Sequence, residues 1–232
     1  MGGSAAQALT LVQYDFGTPP GVSTMTLAPT TTAANISASN LSGGSGGNLQ
    51  TGVATNPATI NFGNYSAFFP VSTTSAAAVA NNSYFEFTVT LTGGSQWNLN
   101  FLSFDASRVG SGSSYASFAL RSSLNNFGSD IGGVQTTTNS FPTFSPMTFS
   151  LTAPAYQNLA APITFRVYVF GELRLDPRIA SPARALFDNV TLNGTPATPI
   201  PFAFTPLPGL ALTWVTGAAR RIRSHPQALK KG

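Results

Sequence analysis

Ile163-Thr-Phe-Arg-Val-Tyr-Val-Phe170 decides the fold class of this chain. Its apolar residues at 163, 165, 167 and 169 fall on one side of an extended backbone, because successive side chains of a strand point to opposite faces. The other positions hold Thr, Arg, Tyr and Phe, so one face packs and the other has a polar character. Working outward, the same period of two recurs. Tyr84-Phe-Glu-Phe-Thr-Val-Thr-Leu91 alternates around Phe85, Phe87, Val89 and Leu91, and Gly93-Gly94 marks a turn. Trp97-Asn-Leu-Asn-Phe-Leu-Ser-Phe104 follows, with Trp97, Leu99 and Phe101 on one face. The two segments read as a hairpin or its equivalent across a sandwich. Residues 115–122, 147–152 and 184–192 read as further strands, 9–16 as the first, and 23–27, 35–41 and 59–62 as weaker ones. Helical periodicity does not recur.

Short strands joined by Gly, Ser, Thr and Asn turns predict an all-β domain, a β-sandwich with jelly-roll-like topology. The expected domain covers residues 9–194. Ser42-Gly-Gly-Ser-Gly-Gly-Asn48 reads as a flexible loop by composition, and 107–114 and 136–146 read as loops. Thr195-Pro-Ala-Thr-Pro-Ile200 reads as an extended linker, 201–223 as an apolar tail segment with a short helix, and 224–232 as a basic end.

Composition narrows the function. Charged residues make up 8% of the 232 residues and hydrophobic ones 42%, against about 25% charged in an average soluble domain. The polar surface must come from Ser, Thr, Asn and Gln, which suits an exported β protein. The net charge of +4 misleads. Residues 1–219 hold six basic and seven acidic side chains, whereas the tail adds Arg220, Arg221, Arg223, Lys230 and Lys231 with no acid. The body therefore has no electrostatic footprint for nucleic acid. No cysteine is present, which removes disulfides, thiolate catalysis and Cys-ligated metals.

The ends carry their own signals. Ala6-Gln7-Ala8 has the small-x-small form of a signal-peptidase site, so residues 1–8 read either as the remnant of a signal peptide or as an Ala-rich terminus. Residues 189–219 carry one acid-free, base-free run that ends in Arg220-Arg-Ile-Arg223. An apolar stretch stopped by arginines has the form of a membrane segment. From Pro208 to Ala219 it spans about 18 Å as a helix, less than the roughly 30 Å of a bilayer core. A buried or interfacial amphiphilic tail is the alternative.

Pro201-Phe202-Ala203-Phe204-Thr-Pro206, a Gly/Leu/Ala-rich run and the Arg220, Arg221, Arg223 cluster resemble the C-terminal sorting signal of PEP-CTERM-type proteins, in its cyanobacterial Pro-Phe-Glu variant. Pro201, Phe202, Phe204 and Pro206 match the motif, and Ala203 stands where the variant has Glu. The order of the segments from Tyr84 to Leu186-Phe-Asp-Asn-Val-Thr-Leu-Asn-Gly194 is similar to the jelly-roll domains of such proteins and to related carbohydrate-binding modules. The resemblance implies an exported, non-catalytic cell-surface or extracellular-matrix protein, an exosortase as processing enzyme, the membrane as a partner of the tail, and extracellular polysaccharide as a possible partner. A carbohydrate-binding module is the alternative function.

The residues themselves argue against catalysis. His225, the one histidine, lies beyond the arginine cluster, so no Ser-His pair or His-based metal site forms in the domain. Glycoside hydrolysis needs two facing carboxylates, and neither Glu86 nor Asp188 has spacing that supplies them. Asp105, Arg121, Arg166 and Asp188 need partners in so uncharged a chain. They read as Asp–Arg pairs that brace the sandwich. The alternative is a Ca²⁺ site with oxygen ligands from Asp15, Asp188 and backbone carbonyls. Trp97, Tyr115, Tyr156 and Tyr168 could form a sugar-stacking platform, with core packing the simpler reading for Trp97. Trp214 reads as an anchor at a membrane interface.

Overall fold

The computed structural model describes residues 7–15, 26–51, 54–55, 61–62, 66–70, 72–109, 114–172 and 184–197; within 47–70 it describes backbone pairing only. The chain divides into two units, Met1–Thr198 and Pro199–Gly232. The described residues all belong to the first unit.

The strands begin with β1 (Leu9–Tyr14), β2 (Thr26–Leu27), β3 (Thr31–Thr32), β4 (Ile36–Ala38) and β5 (Leu41–Gly43). Next come β6 (Gly47–Thr51), β7 (Ala54–Thr55), β8 (Asn61–Phe62), β9 (Ser66–Pro70) and a short helix α1 (Ser75–Ala80). The long strands follow: β10 (Tyr84–Leu91), β11 (Trp97–Val109), β12 (Ala116–Ser122), β13 (Ile131–Thr137), β14 (Ser145–Ser150), β15 (Ile163–Phe170) and β16 (Arg184–Pro196).

Two antiparallel sheets form. One runs β14-β11-β16-β1-β3, with β9 on the N-terminal half of β16 and β6 on β9. The other runs β13-β12-β15-β10-β5-β2, with β4 also on β10. From β10 to β16 the chain crosses from one sheet to the other at every step except β12 to β13. The expected jelly-roll-like sandwich is therefore present. Tyr84–Leu91 and Trp97–Val109 are equivalents across the sandwich, not a hairpin.

Alternation explains the core. Ile163, Phe165, Val167 and Val169 of β15 and Phe85, Phe87 and Val89 of β10 point inward and are buried. They meet Leu102, Phe104 and Ala106 of β11 and Phe187, Val190 and Leu192 of β16. The Phe85 and Phe187 rings stack at 4.2 Å between centroids, and Phe104 packs edge-on against Phe85 and Phe118. Each buried ring contributes about 1.5–3 kcal/mol, with roughly another 0.5–1.5 for a well-oriented pair. Phenylalanine thus joins the two sheets.

Several elements depart from the sequence reading. The 42–48 segment is not a free loop. Its Gly44 and Gly46 amides donate to the carbonyls of Tyr84 (2.8 Å) and Asn82 (3.1 Å), and β5 and β6 take up its two ends. β11 runs on to Val109, and β13 occupies part of the stretch expected to be a loop. Gly132 and Gly133, at φ 71° and 82°, break the alternation of β13 at a bulge, which hides this strand in the sequence. Helix α1, whose Thr74 caps the Ala77 amide, has only six residues, too few to show a helical period in the sequence. β16 extends through Thr195 and Pro196, which pair with Asn98 and Trp97. These two residues belong to the sheet, not to a linker; Pro is compatible with a strand end.

Candidate functional site

The candidate site is the outer face of the β13-β12-β15-β10 part of the second sheet. Because the odd positions of β15 point inward, Thr164, Arg166 and Tyr168 point outward. β10 places Thr88, Glu86 and Tyr84 opposite them, and β12 adds Arg121 and Ala119 on the other side. The register makes three rows: Tyr84–Tyr168–Ala119, Glu86–Arg166–Arg121 and Thr88–Thr164–Ser123. The first two are direct cross-strand partners. In the third, the hydroxyls of Thr88 and Thr164 lie 2.8 Å apart and the Thr164 amide donates to Ser123 Oγ.

The middle row sets two arginines directly opposite each other, an arrangement that destabilises a sheet unless compensated. Both are compensated. Arg166 Nε donates to Glu86 Oε2 at 2.7 Å and Arg121 Nε donates to Asp130 Oδ1 at 2.6 Å. Arg166 also lies 4.3 Å from the Tyr84 ring centre and 3.9 Å from that of Phe127; Arg121 lies 5.4 Å from that of Tyr168. Such stacking contributes roughly 0.5–2 kcal/mol per contact. Burial pulls the Arg166 guanidinium down. The hydrogen bonds to Glu86 and Tyr168 and the charge of Glu86 outweigh this and hold its pKa above the ordinary arginine value. The four charged side chains keep 15–29% of their surface in solvent. One end of the face is covered by α1, whose Ala78 packs with Tyr84, Ala119, Tyr168 and Phe170.

The expected bracing pairs thus exist with different partners. Arg121 and Arg166 take Asp130 and Glu86. Asp105 accepts from Asn189 Nδ2 at 3.1 Å, and Asp188 accepts the Asn189 amide at 2.7 Å. Glu86 and Asp188 lie in different sheets. Asp188 faces Asp105 across β11 and β16, and Asp15 follows Tyr14, the partner of Val190. Among the described residues no group of three or more His, Asp or Glu is placed to hold a metal ion. The stacking platform dissolves: Trp97, Tyr156 and Tyr168 are buried, and Tyr156 shares a hydrogen bond with Ser122. Tyr115 is only half-buried and lies outside the three rows. Phe127 and Asp130 complete the face and carry no signal in the sequence. They sit on a turn after β12, and nothing local marks them.

Pro201, Phe202, Phe204, Pro206, Trp214, Arg220, Arg221 and Arg223 lie outside the described residues, as do residues 1–6. Among the described residues no helix is long and apolar enough to cross a membrane.

No family model matches the chain, and no curated protein matches it significantly. Three solved structures are similar to it. A CBM4 structure shows a TM-score of 0.32 and 15% identity, covering 60% of this chain and 74% of its own. TmCBM61 in complex with β-1,4-galactotriose shows 0.30 and 10%, covering 68% and 88%. A family 11 carbohydrate-binding module from Clostridium thermocellum, in complex with a β-1,3-1,4-mixed-linked tetrasaccharide, shows 0.33 and 16%, covering 79% and 96%.

Proposed function

We propose that this domain is a non-catalytic polysaccharide-binding module that works outside the cell, with the Glu86–Arg166–Arg121–Asp130 row as the centre of its binding face. The observation that carries this reading is that row itself. In a chain with 8% charged residues, two opposed arginines and two carboxylates are gathered on one sheet face, stacked on rings and flanked by threonine hydroxyls. Fixed donors and acceptors of nearly zero net charge match sugar hydroxyls, each of which both donates and accepts. Each carboxylate of the row is engaged with an arginine, which suits recognition better than the paired carboxylates of a glycosidase.

Affinity electrophoresis in gels containing hydroxyethyl cellulose, mixed-linked β-glucan, xylan, β-1,4-galactan or polygalacturonate tests the reading. The parent chain is expected to be retarded by at least one polymer. Arg166→Met and Arg121→Met are expected to weaken that binding about tenfold, the loss of one charge-assisted hydrogen-bonding group. Free migration of the parent through every gel would overturn it.

Delivery to the outside is proposed to run through the sorting motif at Pro201, Phe202, Phe204 and Pro206 and the basic stop at Arg220, Arg221 and Arg223. Intact-mass measurement on protein from the native host, showing loss of the tail, supports this part; full-length protein found only in the cytosol sinks it.

A further inference from the structure

Phe127 occupies a backbone position that its side chain disfavours. Its φ is 57°, next to Asn126 at 53°. The left-handed region crowds Cβ against the backbone, so Gly or Asn normally fills it, and a bulky residue there is an outlier. The position is held from both sides. The Phe127 amide donates to the Ser122 carbonyl (2.9 Å), and Arg121 Nη1 donates to the Phe127 carbonyl (2.9 Å) while its Nε grips Asp130. Core packing does not explain the ring, since among the described residues Phe127 joins none of the buried apolar clusters. The ring instead lies on the Arg166 guanidinium, half-buried, with part of its surface in solvent. Strain that the surroundings hold in place, at a ring outside the buried apolar clusters, points to function.

We infer that Phe127 is the sugar-stacking residue of the sheet-face site, and that its ligand is a neutral polysaccharide whose pyranose rings present a flat C–H face. The inference rests on the carbohydrate-binding reading. An aromatic ring binds the apolar face of a sugar, while the paired arginines and carboxylates beneath it bind the hydroxyls at the ring edge. Neutrality follows from the pairing: Arg166 faces Glu86 and Arg121 faces Asp130, so the face presents no net charge to an anionic polymer.

The test compares Phe127→Leu, which keeps the bulk and the Cβ but removes the ring, with Phe127→Tyr, which keeps the ring. The probe is the neutral polymer of the panel that the parent binds most tightly. F127L is expected to weaken binding about tenfold or more, and F127Y to stay within about threefold. Thermal midpoints of both should stay within about 4 °C of the parent. Binding by F127L equal to that of the parent overturns the role of Phe127 and leaves the site reading standing. No binding by the parent to any polymer overturns both. Tightest binding to polygalacturonate, lost on raising salt to about 0.5 M, overturns the neutral ligand class. Should F127L fail to fold, saturation transfer from the bound polymer to the Phe127 ring protons of the parent decides: transfer supports the assignment, and its absence overturns it.

Discussion

Asn189 carries a turn inside a strand. β16 holds two residues, Asn189 and Val190, where β11 holds only Phe104, and Asn189 takes up the extra length at φ 54°. Its side chain donates to Asp105 and its amide to Asp188. Asn35, Asn82, Asn126 and Asn158 also have positive φ. In this chain Asn does much of what Gly does elsewhere, because its short amide tolerates the left-handed region. Asn189→Ala should therefore cost about 2–3 kcal/mol, from the left-handed penalty and the lost bond to a carboxylate. Asn189→Gly should cost about 1 kcal/mol, because only the bond is lost. Urea unfolding of the two variants checks the difference; equal losses would refute the backbone role. Asp188 reads in the sequence as a metal candidate together with Asp15, whereas in the fold it accepts the Asn189 amide at a bulge. Sequence alone cannot separate the two, since both employ the same oxygens.

At the scale of elements, the connection between β5 and β6 shows how composition misleads. Glycines read as flexibility, yet here they permit close approach. A Cβ on Gly46 would lie 1.5 Å from the Asn81 carbonyl oxygen, and one on Gly44 2.3 Å from that of Asn82. The segment is thereby pressed against the corner between α1 and β10, which leads directly into Tyr84 and Glu86 of the candidate face. Gly46→Ala must shift backbone and should cost about 1–3 kcal/mol, lowering the thermal midpoint by roughly 2–4 °C per kcal/mol. Calorimetry checks this; an unchanged midpoint would show that the corner yields freely. The open side of the sandwich is closed by a similar economy. The Gln135 side chain accepts from the Thr148 amide at 2.9 Å and donates to the Thr148 carbonyl, so one side chain of β13 completes the edge of β14 in the other sheet. Such lacing covers edges that would otherwise invite pairing with another chain.

For the whole molecule, pH offers a test of packing. Tyr14 is fully buried, its hydroxyl donates to the Ser39 carbonyl at 2.6 Å, and burial pushes its pKa up from 10.0. Its neutral form is thus favoured in the folded state. Above about pH 10 the unfolded chain loses this proton while the folded one keeps it, so stability falls as pH rises, by up to about 1.4 kcal/mol per pH unit. Below that pH the group binds its proton in both states and contributes no slope. Tyr14→Phe should flatten the alkaline loss between about pH 10 and 11.5, at a cost of about 1 kcal/mol at neutral pH for the hydrogen bond. Unfolding curves across that range decide the matter; an unaltered slope in the variant would place the loss elsewhere.

What the sequence by itself determined is the local part. A period of two in 84–91 and 163–170 assigns each side chain to one of two faces wherever the strand lies, so the all-β class and the inward set of Phe85, Phe87, Phe165 and Val167 were legible at once. So was the lack of a Cys, or of a His before residue 225. Only the tertiary structure decided which outward residues meet. Arg121 and Arg166 are 45 positions apart, and Glu86 is 80 from Arg166; their shared row depends on register between strands that the chain crosses the sandwich to reach. Phe127 came to rest over Arg166 for the same reason. Face is a local property of a strand, whereas neighbourhood across a sheet is fixed by pairing and packing over the whole chain.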